Sequence, residues 1–445
     1  MPGQPNRSKI LWKLAVAYLV ALALLAWGYA IGRHKVFPYR LALGTLEFVR
    51  GDPIEDTSLL EKLISDLGGA PMRFAHPRIF TLEASAYREV EATSEVFREI
   101  RARPVFYARN PGRGAYLIHG VFEFEDGRYG AVLVRQDGSL LRKWVFHRPP
   151  GNDDIDPAKG GLLPNGIVVS NAFRVLQAQD FCGNPLWSVL DGDFHHSIEA
   201  ADETSFWVLN GFDFEKRNVA DGRLISGFSI FEVMASNPDL HIFEARLRPF
   251  QWEISDLADF AEDFPRHELA LDDPFHFNDA TPLDAALANR YPTFRAGDLL
   301  LSARSLNLLA MVRPETREVL WYRQGITSRQ HDADFNHRGT ISVLDNNNHG
   351  PFSRIVEISP EGALPEVLVD GADFQWVNDA HGNYQFMPDG SVAFVDYFGR
   401  LLHVDANGSI LFEFQNLYSD TEMLAIRNVH YLSDDEVAAL ELACH

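Results

Sequence analysis

Cysteine is almost absent from this chain: Cys182 and Cys444 are the only two in 445 residues. A small disulfide-stapled scaffold is thereby excluded. The pair reads equally as one long-range bridge in an oxidising compartment or as two free thiols. Acidic residues are missing from residues 1–40, where Arg7, Lys9, Lys13, Arg33, Lys35 and Arg40 carry all the formal charge. Basic residues are scarce everywhere else: 34 Lys and Arg face 62 Asp and Glu, a balance of −28 against −22 for the whole chain. Nucleic-acid binding depends on clustered Lys and Arg, so this body is not expected to have such a partner. An anionic small molecule would need a locally positive pocket. A glycine-rich phosphate loop of Walker type is lacking too, and neither a nucleotide nor any other cofactor or metal is expected.

Residues 14–32, LAVAYLVALALLAWGYAIG, contain no charge, and about 20 apolar residues suffice to cross a bilayer. Arg7, Lys9 and Lys13 before this run favour a cytoplasmic N-terminus, whereas Arg33, Lys35 and Arg40 after it weaken that signal. A cleaved signal peptide is the rival, with small residues at Gly28 and Ala30, but its apolar region is usually about 7–15 residues. The expectation is an uncleaved, single-pass inner-membrane anchor. Residues 1–13 then form a cytoplasmic basic tail, and the large domain lies on the periplasmic side.

Residues 33–113 read as a mixed region. TSLLEKLISDLGG, with Leu59, Leu60, Leu63, Ile64 and Leu67 at helical spacing, and EASAYREVEATSEVFREIRAR are its helix candidates. From residue 114 the pattern changes to short strands broken by Gly and Asp. YGAVLVRQDGSLLRKWVF, GIVVSNAFRVLQAQDFCGNPLWSV and GDLLLSARSLNLLAMVRPETREVLWYRQG end near Trp144, Trp187 and Trp321. GTISVLDNNNHGPFSRIVEISPEGALPEVL, GSVAFVDYFGRLLHVDANGSILFEF and the weaker SFWVLNGFDFEKRNVADGRLISGFSIFEVM complete six units. Units of this length with polar turns predict an all-β, six-bladed β-propeller over 114–432, rather than a pair of β-sandwiches. Residues 238–272 break the rhythm and read as a partly helical insertion. Residues 433–445 read as a terminal helix, with Ser433 and Glu436 spaced as a capping box.

Each of four units carries a histidine at a comparable place: His195 or His196, His276, His331 and His381. Inner strands of a propeller surround one channel, so equivalent positions converge. His276 and Asn278 are two apart and share a strand face, as do Ser302 and Arg304. An Arg among apolar strands calls for a partner, and a bound anion would serve. The run DNNNHG, Asp345 to Gly350, is read as an asparagine-rich turn in preference to a hard-cation site. The unit-ending Trp residues are read as blade packing.

Over roughly residues 160–430 these features resemble the arylsulfotransferase family of bacterial six-bladed propellers. The resemblance rests on His195-His196, on HFN at His276 and Asn278, on SAR ending at Arg304, and on Gln330-His331. It implies nucleotide-independent transfer of a sulfuryl group from a phenolic sulfate to a phenol. His331 would be the nucleophile, passing through a sulfohistidine. His276, Asn278, Arg304 and His196 would hold the sulfuryl oxygens, with His195 and His381 as further substrate contacts. Asp279 and Asp332 stand beside two of these positions and are expected either to orient a histidine or to disfavour sulfate. A non-catalytic binding propeller of the cell envelope remains the alternative. A metal-dependent propeller hydrolase is a third reading, and it requires Asp279 or Asp345 in the histidine pocket.

Overall fold

The structure is a computed structural model that describes residues 73–75, 88–90, 105–108, 114–124, 127–147, 149, 159–240, 275–347, 352–362, 364–378, 381–396, 399–416, 422–442 and 444. The expected tail and anchor, the helix candidate at 57–69 and most of the 238–272 insertion lie outside these residues. Among the described residues no helix is long and apolar enough to cross a membrane.

Six antiparallel sheets form a ring, so the six-bladed propeller is present. Blade 1 comprises Gly160–Leu163, Ile167–Ser170, Leu176–Gln179 and Pro185–Val189. Blade 2 comprises Phe194–Asp202, Ser205–Asn210, Asp213–Asn218 and Leu224–Ser229. Blade 3 runs from Phe277–Pro282 to Glu318–Gln324, and blade 4 from His331–Phe335 to Glu366–Asp370. Blade 5 starts at Asn383–Phe386 and reaches Ile410–Gln415. Blade 6 is shared by the two ends of the domain. Its inner strand is Ile426–Leu432, and Ala115–Phe124, Gly127–Arg135 and Leu140–Phe146 complete it. The chain closes its own ring this way, leaving no open edge between first and last blades.

Blade 5 corrects the expectation for the N-terminal region. Arg88–Val90, inside a predicted helix, is a strand that pairs with Val105–Ala108, and that strand adds to Ile410–Gln415. Edge pairing with an existing sheet overrides the local helical pattern here. The propeller sheets therefore recruit residues upstream of 114. The reverse holds in the weakest repeat unit, where Ile230–Ser236 is a helix capped by the Ser229 side chain on the Glu232 N–H. The helix Asp434–Leu442 follows blade 6, with Ser433 and Glu436 exchanging the two reciprocal capping hydrogen bonds.

Each blade is apolar on both faces because it is a layer between two others. The core accordingly divides into one principal cluster per blade interface. Trp207, Phe214, Phe277 and Leu299 lie between blades 2 and 3, and Tyr116, Val395 and Phe412 between blades 5 and 6. The outer tryptophans staple neighbours as well as packing. Trp144 donates its indole N–H to Asp180 O at 2.9 Å, Trp187 to Val219 O at 3.0 Å and Trp321 to Pro360 O at 2.9 Å, each in the next blade. Cys182, in the turn before the outer strand of blade 1, is disulfide-bonded to Cys444 beyond the terminal helix. The bridge therefore resolves the choice that composition leaves open, and it ties the closing segment to blade 1.

Around the channel, side chains of the inner strands and their approaches bind the next blade in an unbroken circle. The Asn171 amide donates to His196 O at 2.8 Å, and Ser197 Oγ accepts from Ala280 N at 3.2 Å. Asp279 Oδ2 accepts from Ala333 N at 2.6 Å, and Asp332 Oδ2 from Tyr384 N at 2.8 Å. Asn383 Oδ1 accepts from Val429 N at 2.8 Å, and the Asn428 amide donates to Gly160 O at 2.5 Å. These bonds satisfy backbone groups that would otherwise be buried without partners.

Candidate active site

The histidine-bearing inner strands do not run as regular strands. The pairing slips between His195 and Ile198 in blade 2, between Phe277 and Asp279 in blade 3, and between His331 and Ala333 in blade 4. His196, His276 and Asp332 take the left-handed backbone region, at φ of 55°, 48° and 52°. Bulges of this kind re-aim side chains toward a site. They also overturn the simple alternation argument. His276 precedes its strand, and Arg304 sits in a 3₁₀ turn after Leu299–Ala303, with its backbone N–H on His276 O at 3.0 Å.

The result is a cluster of imidazoles on the channel. His196 Nε2 lies 3.1 Å from His276 Nε2, so one of the two nitrogens donates and the other accepts. The ring of His331 is 6.1 Å from that of His196 and 5.8 Å from that of His381, and His196 and His381 are 6.0 Å apart. His195 turns away: its Nε2 donates to Gly211 O at 3.1 Å. Of the adjacent pair, His196 is therefore the pocket residue.

His331 is fully buried, and its hydrogen bonds fix its chemistry. Its Nδ1 lies 2.8 Å from Asn346 Oδ1 and 3.0 Å from the Arg329 carbonyl. The Asn346 amide nitrogen is committed to two carbonyls, Asn378 O at 2.6 Å and His381 O at 2.9 Å, so its oxygen must face the imidazole. Two acceptors at Nδ1 place the proton there. Nε2 keeps its lone pair and has no hydrogen-bond partner. Burial, reinforced by the Arg304 and Lys159 charges, holds the His331 pKa well below the usual histidine range. Burial does the same for His196, His276 and His381, with Arg304 adding to the effect at His276 and Arg427 at His381. All four imidazoles are neutral at neutral pH.

Positive charge at the pocket therefore comes from side chains other than histidine. Arg304 and Arg329 act on His276, Arg427 on His381, and Lys159 on His196, His331 and His381. Lys159 and Arg427 are 5% and 2% exposed, which keeps their fields unscreened by bulk water. Only Arg304 among these four was legible as a pocket residue. Lys159 stands immediately before the inner strand of blade 1, Gly160–Leu163. The others stand in GITSRQH and LAIRNV, where a repeat-by-repeat comparison would have drawn attention to them. Asn346 falls in the run DNNNHG, whose composition reads only as a turn.

Two expectations need correction. Asn278 is fully buried, but its amide donates to the Gln330 carbonyl at 2.7 Å, so it positions the segment that carries His331. Gln330 is anchored in turn by Ser302 Oγ at 3.2 Å and Leu308 O at 3.0 Å. Asp279 and Asp332 orient no histidine, because both are spent on the inter-blade circle. Burial and the Asp332 charge push Asp279 up to about 6. Burial and neighbouring carboxylates likewise raise Glu199 and Asp334, with Lys159 opposing. Asp345 pairs with Arg354 at 2.8 Å and accepts from Ser328 N at 2.7 Å. The hydrolase reading, which needed Asp279 or Asp345 in the pocket, loses its ligands.

Residues 162–417, more than half of the chain, match the family described as arylsulfotransferase (ASST). The chain belongs to the arylsulfotransferase family. No curated protein sequence matches it significantly. Among solved structures, a Bacteroides caccae protein of unknown function aligns with TM-score 0.45 and 10% identity, covering 72% of this chain and 99% of that one. An inactive Staphylococcus aureus virginiamycin B lyase aligns with TM-score 0.39 and 8% identity over 80% and 94%. Moraxella catarrhalis BamB aligns with TM-score 0.31 and 12% identity over 72% and 80%. In this arylsulfotransferase-family chain, five of the seven predicted site residues come together in one pocket: His196, His276, His381 and Arg304 lie around the buried His331.

Proposed function

We propose that this protein is a nucleotide-independent aryl sulfotransferase that works through a sulfohistidine at His331. The observation that carries the reading is the forced tautomer of His331, with the proton on Nδ1 and an unpartnered lone pair on Nε2 inside a pocket of fixed cations. In the first half-reaction Nε2 attacks the sulfur of an aryl sulfate, the bond from sulfur to the aryl oxygen breaks, and phenolate leaves. The ring becomes a cationic N-sulfoimidazole whose Nδ1–H is held by Asn346 Oδ1 and Arg329 O. Arg304 and the neutral His276 and His196 are placed to hold the sulfuryl oxygens, where charge redistributes in the transition state. In the second half-reaction a phenol oxygen attacks sulfur, the bond from nitrogen to sulfur breaks, and a neutral neighbouring imidazole takes the phenol proton.

His331 is fully buried, so the approach of a donor requires neighbouring side chains to yield. The reading includes a single-pass tether at residues 14–32 that presents the propeller on the periplasmic side, in keeping with a disulfide that needs an oxidising compartment. The test is release of nitrophenolate from 4-nitrophenyl sulfate with and without an added phenol. Turnover should require the phenol, and His331→Ala should lower it by roughly a thousandfold or more. Wild-type rates in His331→Ala would sink the assignment.

A further inference from the structure

We propose that His196, His331 and His381 together bind a divalent transition metal of the zinc, copper, nickel or cobalt type, and that occupancy masks Nε2 of His331. One ligating nitrogen from each ring lies within 4.8 Å of the other two. The three donors come from blades 2, 4 and 5, at or beside bulged or turning segments that the inter-blade hydrogen bonds hold in place. Metal–nitrogen bonds of about 2.0–2.1 Å need donor nitrogens about 3.3 Å apart, so the rings close by roughly 1 Å when the ion enters.

The donor chemistry selects the ion. Imidazole nitrogen suits zinc, copper and nickel, whereas calcium and magnesium take oxygen ligands. The nearby carboxylates of Asp279 and Asp332 are spent between blades. The two acceptors on Nδ1 of His331 leave its Nε2 lone pair available to an ion. The outer shell is also built. Asn346 receives Nδ1–H of His331 and donates to the His381 carbonyl, so one side chain orients two of the three ligands. Three protein ligands leave a tetrahedral ion one open position, which a sulfate-like oxygen or water can take. The charges of Arg304 and Lys159 oppose the ion and weaken its binding. The binding claim stands on this geometry alone; the masking claim rests on the sulfuryl-transfer reading.

The experiment is calorimetric titration of untagged, metal-free, full-length protein with zinc chloride near neutral pH, with cobalt as a spectroscopic probe. The expected result is one saturable site per chain and the visible absorption of four- or five-coordinate cobalt. His381→Ala weakens binding by about tenfold or more, whereas His337→Ala, an exposed turn residue, does not change it. His381→Gln, which preserves side-chain bulk, must weaken binding as well, so a folding failure of the alanine variant does not decide the matter. Absence of saturable binding, or affinity indifferent to both changes at His381, overturns the site. Zinc binding that leaves nitrophenolate release untouched overturns the masking. A protein that binds zinc yet transfers no sulfuryl group keeps the metal site and removes the proposed function.

Discussion

Replacing Asn346 by alanine removes one of the two acceptors that hold Nδ1–H of His331 at 2.8 Å. A hydrogen bond to a neutral group is worth about 0.5–1.5 kcal/mol, and one to a charged group about 1.5–3 kcal/mol. Sulfurylation turns the ring from neutral to cationic, so the bond tightens by roughly 1–2 kcal/mol between ground and transition states. The Arg329 carbonyl, 3.0 Å away, keeps part of the proton's support. The first half-reaction is therefore expected to slow by about 5- to 30-fold. Rapid-quench measurement of the nitrophenolate burst reads that step directly. Asn346→Asp restores the acceptor and adds a negative charge beside the ring, which moves the acid limb of the burst rate to higher pH. Asn346 also donates to Asn378 O and His381 O, so the melting temperature of both variants must be followed. An alanine variant that melts lower but bursts at the wild-type rate would reduce Asn346 to a structural tie and refute the tautomer argument.

Because burial and the Arg304 charge lower its pKa, His331 stays neutral as pH falls through the ordinary histidine range. The burst rate should be flat from mildly alkaline pH past about 6.5 and fall only well below it; an inflection at or above about 6.5 contradicts the buried, neutral nucleophile. Arg304→Met should cost about 10- to 100-fold in kcat/KM through lost contact with the sulfuryl oxygens, and should raise the acid limb, since Arg304 depresses His276 and His331. Unchanged kinetics together with an unchanged limb would remove it from the pocket. The Cys182–Cys444 bridge spans 262 residues of sequence. On the chain-entropy account such a loop is worth at most about 5.6 kcal/mol, a fall of roughly 8 °C in Tm for Cys182→Ser in a propeller of about 330 residues. Identical melting curves would show that closure of blade 6 does not depend on the bridge.

The ring of blades is legible because the second, third and fourth strands of each blade repeat one pattern. Units ending at Trp144, Trp187 and Trp321 mark outer strands that staple to the next blade. Convergence of His196, His276, His331 and His381 follows from the same repetition, since one channel collects equivalent positions. What the pattern hides is local. The slips after His195, Phe277 and His331 change which neighbour faces inward, and no spacing rule reveals a bulge. Asp279 and Asp332 look like site residues by adjacency, yet their carboxylates serve backbone N–H groups of the following blade. Asn346 lies in a run whose composition says only turn, and its role depends on Asn378 and His381 arriving from the next blade. Arg88–Val90 looks helical until a sheet edge is available to pair with. These are long-range effects, set by which strand lies beside which.

The most direct test of sulfuryl transfer through His331 is the intact mass of the full-length protein, quenched after brief exposure to 4-nitrophenyl sulfate. The account predicts a gain of one sulfuryl group, carried on the peptide containing His331, absent from His331→Ala and discharged by added phenol. Release of nitrophenolate with no adduct at any quench time, or an adduct that persists in His331→Ala, would contradict it.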